Sequence, residues 1–276
     1  MLRFLEHRIA DRRILRLIRK WLISGVSEEG QWSRTTVGTP QGAVISPILA
    51  NVFLHYVLDL WAHQWRKKHA TGEIIIVRYA DDFVIGFRYQ RDAKRFLCEI
   101  RSRLEEFGLT LHPDKTRLIE FGPFARENRR RRGEGKPETF DFLGFTHYCS
   151  QSHTGRFLVK RRSIKKRLRA TLQAIKEKLK KRMHLPIRQQ GQWLRSVVQG
   201  WLQYHAVPFN RNALETFHRQ ACRMWRHVLR RRSQKGRRRW NWQRMYRLID
   251  RWLPRVRILH PHPSERLIVK PKVGAV

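Results

Sequence analysis

Two adjacent carboxylates, Asp81 and Asp82, stand between the apolar runs Ile74–Val77 and Phe83–Phe87. Neighbouring side chains on a strand point to opposite faces, so consecutive carboxylates converge only at a turn. The pattern therefore predicts two buried strands, covered on both faces, with both aspartates at their shared tip. Carboxylate oxygens suit Mg²⁺, and paired metal ions stabilise the attacking and leaving oxygens of phosphoryl transfer. The alternative is an ordinary aspartate-rich turn.

A loop at Gly38–Pro47 is the second candidate for chemistry, because its two glycines and two prolines favour an extended, sharply turned backbone. Ser46 is suited to cap a following helix, with Pro47 at the first helical position. Gln41, held on such a loop, can donate and accept hydrogen bonds towards a base or a sugar. The alternative is a simple connector between a strand and a helix.

The charge of the chain is strongly positive and unevenly distributed. Its 276 residues include 60 Lys and Arg against 22 Asp and Glu, a net charge of +38. Residues 1–122 hold 20 basic and 14 acidic side chains, whereas residues 123–276 hold 40 and 8. Nucleic acid is the expected partner, because a polyanion would neutralise the second half. Solvated helix faces are the alternative, although such faces usually mix both signs.

Composition argues against several other classes of protein. No run approaches the ~20 apolar residues of a membrane span, and the first residues contain no apolar signal-peptide core. The three cysteines form no Cys-x-x-Cys pair, which argues against a disulfide framework or a cysteine-rich zinc site. The sequence therefore predicts a reduced intracellular location without membrane contact.

Periodicity and turn signals predict the elements that must position these residues. The first half reads as mixed α and β, and the second half as basic and helical. Helices are predicted at 2–23, 47–64, 91–107, 161–183, 187–206, 211–231 and 241–252. Strands are predicted at 31–37, 74–77, 83–87, 140–145 and 157–160, with two more flanking 113–116. A turn is predicted at 24–29 and a loop or linker at 123–138.

Four motifs in order give a resemblance to a known family. They are TPQGAVISPILANVFLH, VRYADDFVIGF, GLTLHPDKT and FDFLGF. In type, order and approximate spacing they resemble the reverse transcriptases encoded by group II introns. The segment Gly200–Tyr204 resembles the maturase domain of that family, and the closing LHPHPSER is similar to its bacterial members.

The resemblance implies an α+β fold, in which a polymerase palm of antiparallel sheet and helices precedes a basic α-helical thumb and maturase region. Residues 1–122 would be a partial palm. Residues 123–160 would be a basic linker with end-of-palm strands similar to a primer grip. Residues 161–276 would be the thumb and maturase region.

The same resemblance implies roles for individual residues. Asp81 and Asp82 would be catalytic ligands of Mg²⁺, and Lys115 would assist the pyrophosphate leaving group, its alternative being a surface lysine in a turn. The residues expected at nucleotide and template are Pro40, Gln41, Gly42, Tyr79 and Ala80. Those expected beside the primer are Phe142, Leu143, Gly144 and Phe145. RNA contacts are expected at Arg161, Arg162, Lys165, Lys166, Arg230, Arg231, Arg232, Arg237, Arg238 and Arg239.

The chain departs from the family pattern at its start. The resemblance implies a fingers region and an earlier palm strand with a third metal-binding aspartate, and neither Asp11 nor Asp59 has that setting. The chain is therefore expected to be a fragment that is inactive alone and that a missing N-terminal segment could complete in trans.

Three functions compete at this point. The first is an RNA-directed DNA polymerase of a mobile group II intron, a nucleotidyltransferase that uses intron RNA, an RNA template, a DNA primer and dNTPs in a bacterial-type cytoplasm. The second is a non-catalytic RNA-binding maturase that helps the intron to splice. The third, an unrelated basic nucleic-acid protein, is disfavoured by the four motifs. In the basic half, Trp193, Trp201 and Trp225 are expected to pack in a helical core.

Overall fold

The computed structural model describes residues 1–23, 26–28, 31–33 and 45–262, and the chain divides into two compact units, 1–118 and 119–276. The described helices of unit 1 are α1 (Leu2–Glu6), α2 (Arg12–Ile23), α3 (Ser46–Leu54), α4 (Leu60–His69) and α5 (Gln90–Glu105), with a π-helical turn (His55–Asp59) between α3 and α4. Its described strands are β1 (Val26–Glu28), β2 (Gln31–Ser33), β3 (Ile74–Tyr79) and β4 (Asp82–Phe87).

In the described part of unit 2 the helices are α6 (Ala125–Arg131), α7 (Lys165–Lys181), α8 (Ile187–His205), α9 (Arg211–Arg231), α10 (Gly236–Arg239) and α11 (Trp242–Trp252). The strands are β5 (Phe140–Phe142), β6 (Phe145–Gln151) and β7 (Phe157–Ser163), which form one antiparallel sheet in that order. This mixture of helices with small antiparallel sheets confirms the α+β class. No described helix is long and apolar enough to cross a membrane.

The core of unit 1 lies between the hairpin β3–β4, helix α5 and the helical stretch from α3 to α4. Its buried members are Val57, Leu58, Ala62, Trp65, Ile74, Phe96, Ile100 and Leu104. The predicted helix 47–64 continues to His69 because Trp65, one turn before that end, packs into this core. Helix α5 presents Phe96, Ile100 and Leu104 at helical spacing, and the chain turns away at Gly108, whose φ is +70°.

The hairpin β3–β4 is covered on one face in the described residues, which corrects the prediction that both faces are buried. Its register pairs Ile74 with Phe87 and Tyr79 with Asp82. Alternation places Ile74, Ile76, Phe83, Ile85 and Phe87 towards the core. On the opposite face Ile75, Val77 and Tyr79 are 59%, 48% and 65% exposed.

The predicted helix 2–23 is two helices, and Asp11 stands immediately before the second of them. The carboxylate of Asp11 accepts a hydrogen bond from the backbone N–H of Arg13 at 2.7 Å, which satisfies a free donor at the start of α2. The carboxylate of Asp11 is therefore engaged as a helix cap.

The helices of unit 2 enclose a second core around Trp225. The indole Nε1 of Trp225 donates to Oε1 of the buried Gln190 at 3.0 Å, and Gln190 Nε2 donates to the carbonyls of Arg182, Met183 and Leu185. A single buried amide thus links α9 to the turn between α7 and α8. Trp193 and Trp201 pack partly buried against the same core, which confirms the core prediction for all three tryptophans.

Several predicted elements after residue 108 are wrong. Residues 109–121, all described, contain no strand beside 113–116, and the predicted linker 123–138 contains α6. The predicted strand 140–145 is interrupted by a turn at Leu143–Gly144, and β6 follows it. The predicted helix 161–183 begins only at Lys165, because residues 161–163 pair with β6 as the end of β7.

Helix α8 allows a matched test of the packing in unit 2. A Cβ at Gly191 would lie 2.7 Å from the ring of Trp252, whereas a Cβ at Gly200 would meet nothing within 4 Å. We expect Gly191→Ala to lower the unfolding free energy by about 1–3 kcal/mol through overpacking. We expect Gly200→Ala to raise it by roughly 0.5–1 kcal/mol, because alanine favours the helix. Denaturant unfolding measures both, and equal effects would contradict the close contact of α8 with α11.

Candidate active site

Both aspartates lie at the tip of the hairpin β3–β4. Tyr79 pairs with Asp82 across the strands, so Ala80 and Asp81 form a two-residue turn and Asp82 begins β4. Both carboxylates are exposed to solvent. Ala80 has a φ of +54°, a left-handed conformation that costs a residue with a Cβ about 1–2 kcal/mol. The turn that carries the carboxylates is therefore strained and needs other contacts to hold it.

Arg78 supplies such contacts from the buried face of the hairpin. Its guanidinium is 14% exposed and forms a bidentate pair with Asp59, Nε to Oδ1 at 2.7 Å and Nη2 to Oδ2 at 2.6 Å. Nη1 donates to Asn51 Oδ1 and to the carbonyl of Ala80, both at 2.8 Å. Hydrogen bonds from Arg78 to Asp59 raise the pKa of Arg78 against the opposing effect of burial, and the charge of Asp59 adds to the rise. We call Arg78, Asp59, Asn51 and the Ala80 carbonyl the Arg78 hub.

The helical side of the hub begins in α3 and ends in the π-helical turn. Asn51, on α3, also donates through Nδ2 to the carbonyl of Pro47 at 3.0 Å. Asp59 is the last residue of the π-helical turn, and His55 Nδ1 lies 3.6 Å from Asp59 Oδ2. The carboxylate of Asp59 is therefore paired with Arg78, just as the carboxylate of Asp11 is engaged at the start of α2.

Sequence reasoning missed the hub. Arg78 was visible only as part of the turn, and Asp59 only as a carboxylate in a helix. Arg78 follows directly on an apolar strand, and a charged side chain in such a place is buried only when it is paired. This rule points to an acidic partner on a neighbouring apolar helix.

The other predicted residues of unit 1 are placed as follows. Tyr79 is exposed on the open face of the hairpin, and Ala80 is the strained turn residue. Lys115 is exposed in a turn in which the N–H of Thr116 donates to the carbonyl of His112. Pro40, Gln41 and Gly42 lie outside the described residues.

The predicted primer-side motif is a tight turn in unit 2. Leu143 and Gly144 have φ values of +47° and +81°, the two positive values that a type I′ hairpin turn requires. The hydroxyl of Tyr204 donates to the carbonyl of Leu143 at 2.8 Å, and the buried Phe145 stacks on the ring of Tyr204 with centroids 5.7 Å apart. Two motifs that the sequence presented separately, FDFLGF and the segment ending at Tyr204, thus form one structure.

The predicted RNA-binding residues are spread over several elements of unit 2. Arg161 and Arg162 lie on β7, and the guanidinium of Arg162 stands 5.6 Å from the ring centre of Tyr148. Lys165 and Lys166 are exposed at the start of α7. At the end of α9, Arg231 is exposed, whereas Arg230 has a buried Nε and Arg232 donates to the carbonyl of His184. Arg238 and Arg239 are exposed on α10, and the side chain of Arg237 lies outside the described part of the chain.

Internal carboxylates neutralise one basic cluster much more than the other. Around α6, Arg129 pairs with Glu134 and Glu138, Arg131 with Glu127, and Arg132 with Glu120 and Glu134. Between Glu177 and Asp250 the sequence contains a single carboxylate, Glu215, and Arg211 pairs with it at 2.7 Å. The helical part of unit 2 therefore carries most of the charge that a polyanion could neutralise.

Aromatic rings accompany this charge near the end of α9. The guanidinium of Arg226 stands 4.5 Å from the ring centre of Trp242, and Trp242 stacks on Tyr246 with centroids 5.7 Å apart. Tyr246 is 58% exposed. An exposed ring among arginines has the chemistry to stack on an unpaired base.

His205 packs against Phe145, the residue that follows the turn at Leu143–Gly144. Its Nδ1 lies 2.9 Å from the hydroxyl of Ser163, and its ring packs against Phe145 and Trp201. Asn210 joins the same network by donating to Ser163 Oγ and to the carbonyl of His205. Burial, followed by the charge of Arg167, lowers the pKa of His205 to about 4.

The donor set of the hairpin tip fits a magnesium ion. In the described part of the chain no three His, Cys, Asp or Glu side chains form a group of metal-binding size. The tip instead offers two consecutive exposed carboxylates. Mg²⁺ is commonly held by one or two carboxylates and completes its shell with water and substrate phosphates, so this set is sufficient in kind.

Comparisons with known proteins agree with the geometry. The model of the reverse transcriptase (RNA-dependent DNA polymerase) family matches residues 2–147, more than half of the chain. An uncharacterized 91 kDa protein in the cob intron of Schizosaccharomyces pombe is 25% identical over 169 residues, 43% of this chain and 21% of that protein. The group II intron-encoded protein LtrA of Lactococcus lactis subsp. cremoris is 43% identical over 61 residues, 22% of this chain and 10% of that protein.

A putative COX1/OXI3 intron 2 protein of Saccharomyces cerevisiae is 25% identical over 167 residues, 42% of this chain and 20% of that protein. The matches therefore span between about a tenth and a fifth of the length of these three relatives. The proteins of Schizosaccharomyces pombe and Saccharomyces cerevisiae are named after introns, and LtrA is named as a group II intron-encoded protein.

The pKa of His205 predicts how the stability of unit 2 depends on pH. An unfolded histidine titrates near pH ~6.5, whereas folded His205 does so at about 4. The unfolded state therefore binds more protons in this interval, and stability falls as the pH drops from ~6.5 towards 4. We expect His205→Asn to flatten part of this fall in melting temperature.

Part of the pH dependence should remain, because burial also lowers the pKa of His147 and His218. The matched control is His184→Asn at an exposed position. A His205→Asn variant with the full wild-type pH dependence would contradict the role of His205.

Proposed function

This chain belongs to the reverse transcriptase family, and we propose that it is an RNA-directed DNA polymerase whose metal ligands are Asp81 and Asp82. The observation that carries the proposal is the placement of two consecutive exposed carboxylates on a strained, anchored hairpin tip. Its similarity to proteins of introns supports a group II intron-encoded enzyme, and we propose intron RNA, an RNA template, a DNA primer and dNTPs as its partners.

The chemistry follows from the residues at the tip. Asp81 and Asp82 would hold Mg²⁺, which when bound offsets the charge that develops on the phosphoryl oxygens. The hairpin fixes both carboxylates before substrate arrives, and such positioning supplies much of catalysis in phosphoryl transfer. The exposed ring of Tyr79 and the backbone of Ala80 would form the floor beneath the nucleotide.

The remaining assignments complete the proposal. Lys115, exposed in its turn, would protonate the leaving pyrophosphate or offset its negative charge. The loop with Pro40, Gln41 and Gly42 would contact template and nucleotide. The turn of Phe142, Leu143, Gly144 and Phe145 would lie against the primer. Residues 1–122 would act as a partial palm, 123–160 as a basic linker with end-of-palm strands on the primer side, and 161–276 as the helical thumb and maturase region.

RNA binding is proposed for the helical part of unit 2. Its support is the near absence of carboxylates between Glu177 and Asp250 in a segment rich in arginine. Arginine side chains would contact phosphates, and exposed rings such as Tyr246 would stack on unpaired bases. The same observation favours the second candidate function, a non-catalytic RNA-binding maturase that assists intron splicing.

Replacement of either tip carboxylate separates these two functions. In a complete reverse transcriptase that contains this chain, we expect Asp81→Asn and Asp82→Asn to lower Mg²⁺-dependent primer extension on an RNA template by about 10²-fold or more, because each removes a metal ligand. RNA affinity should be unchanged. Glu73→Gln, at an exposed carboxylate before β3, is the matched control.

Wild-type extension that survives both substitutions would contradict the metal assignment. A complete wild-type protein that binds RNA tightly but extends no primer with Mg²⁺ or Mn²⁺ would favour the maturase function instead.

The basic surface is tested by two triple variants with an equal reduction of charge. One replaces the exposed Arg231, Arg238 and Arg239 with Gln, and the other replaces Arg129, Arg131 and Arg132, which pair with glutamates. We expect the first to weaken RNA binding and to reduce the slope of log affinity against log salt by about 0.7–0.9 for each phosphate that is no longer neutralised. The second should leave the slope nearly unchanged. Equal slopes for the two variants would show that net charge alone governs binding.

A further inference from the structure

We propose that Arg78 is the positioning residue of the Asp81–Asp82 tip and that it sets the metal affinity of these carboxylates through the backbone of Ala80. The inference rests on the proposed function, because it concerns the same metal site. The hydrogen bonds of the Arg78 side chain go to Asp59, Asn51 and the Ala80 carbonyl, and the proposed mechanism gives it no contact with the substrate. Arg78 would therefore act on the metal ligands indirectly.

The geometry of the guanidinium supports this assignment. Arg78 uses its planar fork in three directions at once: towards Asp59, towards Asn51 and towards the Ala80 carbonyl. The bidentate pair fixes the plane of the guanidinium, and that plane fixes where Nη1 meets the carbonyl. A lysine ammonium has no such fork, so it cannot hold all three acceptors in the same arrangement.

The hydrogen bond from Arg78 to the Ala80 carbonyl matters because the backbone of Ala80 is strained. Alanine has no side-chain hydrogen bond that would favour a left-handed backbone, yet Ala80 has a φ of +54°. Asp81 and Asp82 follow directly in the turn, so a change of the backbone at residue 80 would redirect both carboxylates. Strained residues persist where the surrounding structure over-determines them, and the Nη1 contact supplies such a restraint.

The open face of the hairpin makes the restraint more important. Val77 and Tyr79 are about half or more exposed, so in the described residues packing on that side does not fix the tip. The support comes from the buried side, through the pair of Arg78 with Asp59. Asp59 ends a π-helical turn, an irregularity often found at functional sites.

A second arginine provides the matched control. Arg103 Nε donates to the carbonyl of Val57 in the same π-helical turn at 3.3 Å, and its Nη1 pairs with Glu106 at 3.1 Å. Arg103 thus anchors the same turn and pairs with a carboxylate. Its described contacts do not include the hairpin tip.

The experiment measures Mn²⁺ binding to the full chain by electron paramagnetic resonance, with thermal melting in parallel. The variants are Arg78→Lys, Arg103→Lys, Asp81→Asn and the double variant Arg78→Lys/Ala80→Gly. We expect Arg78→Lys to weaken the site that Asp81→Asn removes by about 10-fold or more, the usual range for a residue that orients a metal ligand. We expect Arg103→Lys to lower the melting temperature without changing Mn²⁺ affinity.

The double variant tests the route through Ala80. Glycine adopts the left-handed conformation freely, so Ala80→Gly should restore a large part of the Mn²⁺ affinity that Arg78→Lys removes. A merely structural role of Arg78 predicts no such recovery. If Arg78→Lys proves unfolded, Asn51→Ala takes its place, because it removes one of the two acceptors that orient Nη1.

Each outcome has a separate meaning. If Asp81→Asn binds Mn²⁺ like the wild type, the proposed metal site itself is wrong. If Asp81→Asn weakens binding while Arg78→Lys does not, only the positioning role is overturned. Equal decreases of affinity in Arg78→Lys and Arg103→Lys, or no recovery in the double variant, would also overturn it.

Discussion

A positive charge placed inside unit 1 is the constraint on which the site depends. The guanidinium of Arg78 lies on the buried face of β3 and must be paired there, because an unpaired buried charge is costly. Asp59 and Asn51 accept hydrogen bonds from the guanidinium on the helical side, and the Ala80 carbonyl accepts one in the turn. One partly buried side chain therefore couples the local strain at the hairpin tip to the packing of the helices.

The second constraint is the uneven supply of carboxylates. Around α6, glutamates offset the arginine run within the unit, as in the pair of Arg131 with Glu127. In the helices that follow, Glu215 stands alone between Glu177 and Asp250, and the core there is apolar apart from groups such as Gln190 that satisfy their own hydrogen bonds. The folded unit 2 is thus stable through burial, while its surface keeps an excess of positive charge.

The sequence was sufficient for elements whose pattern is local. The apolar runs around Asp81 predicted the hairpin, and helical spacing predicted α5, α8, α9 and α11. Predictions failed where the structure of a segment depends on contacts with residues that are distant in the sequence. The segment FDFLGF suggested one strand, because nothing within it shows that Leu143 lies in a turn whose carbonyl accepts a hydrogen bond from the distant Tyr204. The basic residues Arg161 and Arg162 suggested the start of a helix, because only the pairing of residues 161–163 with β6 makes this segment a strand.

The hairpin tip at which the metal site is proposed was predictable from the sequence, whereas the side chains that support it were not. Adjacent aspartates between apolar strands are a local pattern, whereas the pair of Arg78 with Asp59 joins residues from separate elements. Helix α6 could have been recognised from Glu127 and Arg131, whose spacing of four residues favours a helix.

The most direct test of the metal assignment is to locate an ion at the hairpin tip. Crystals of the full chain with an RNA template, a DNA primer and a non-hydrolysable dNTP analogue, soaked in Mn²⁺, would be measured at a wavelength where manganese scatters anomalously. We expect an anomalous peak within coordination distance of carboxylate oxygens of both Asp81 and Asp82. The assignment would be contradicted if the nucleotide is bound, its manganese ion lies elsewhere, and no anomalous peak lies at these two carboxylates.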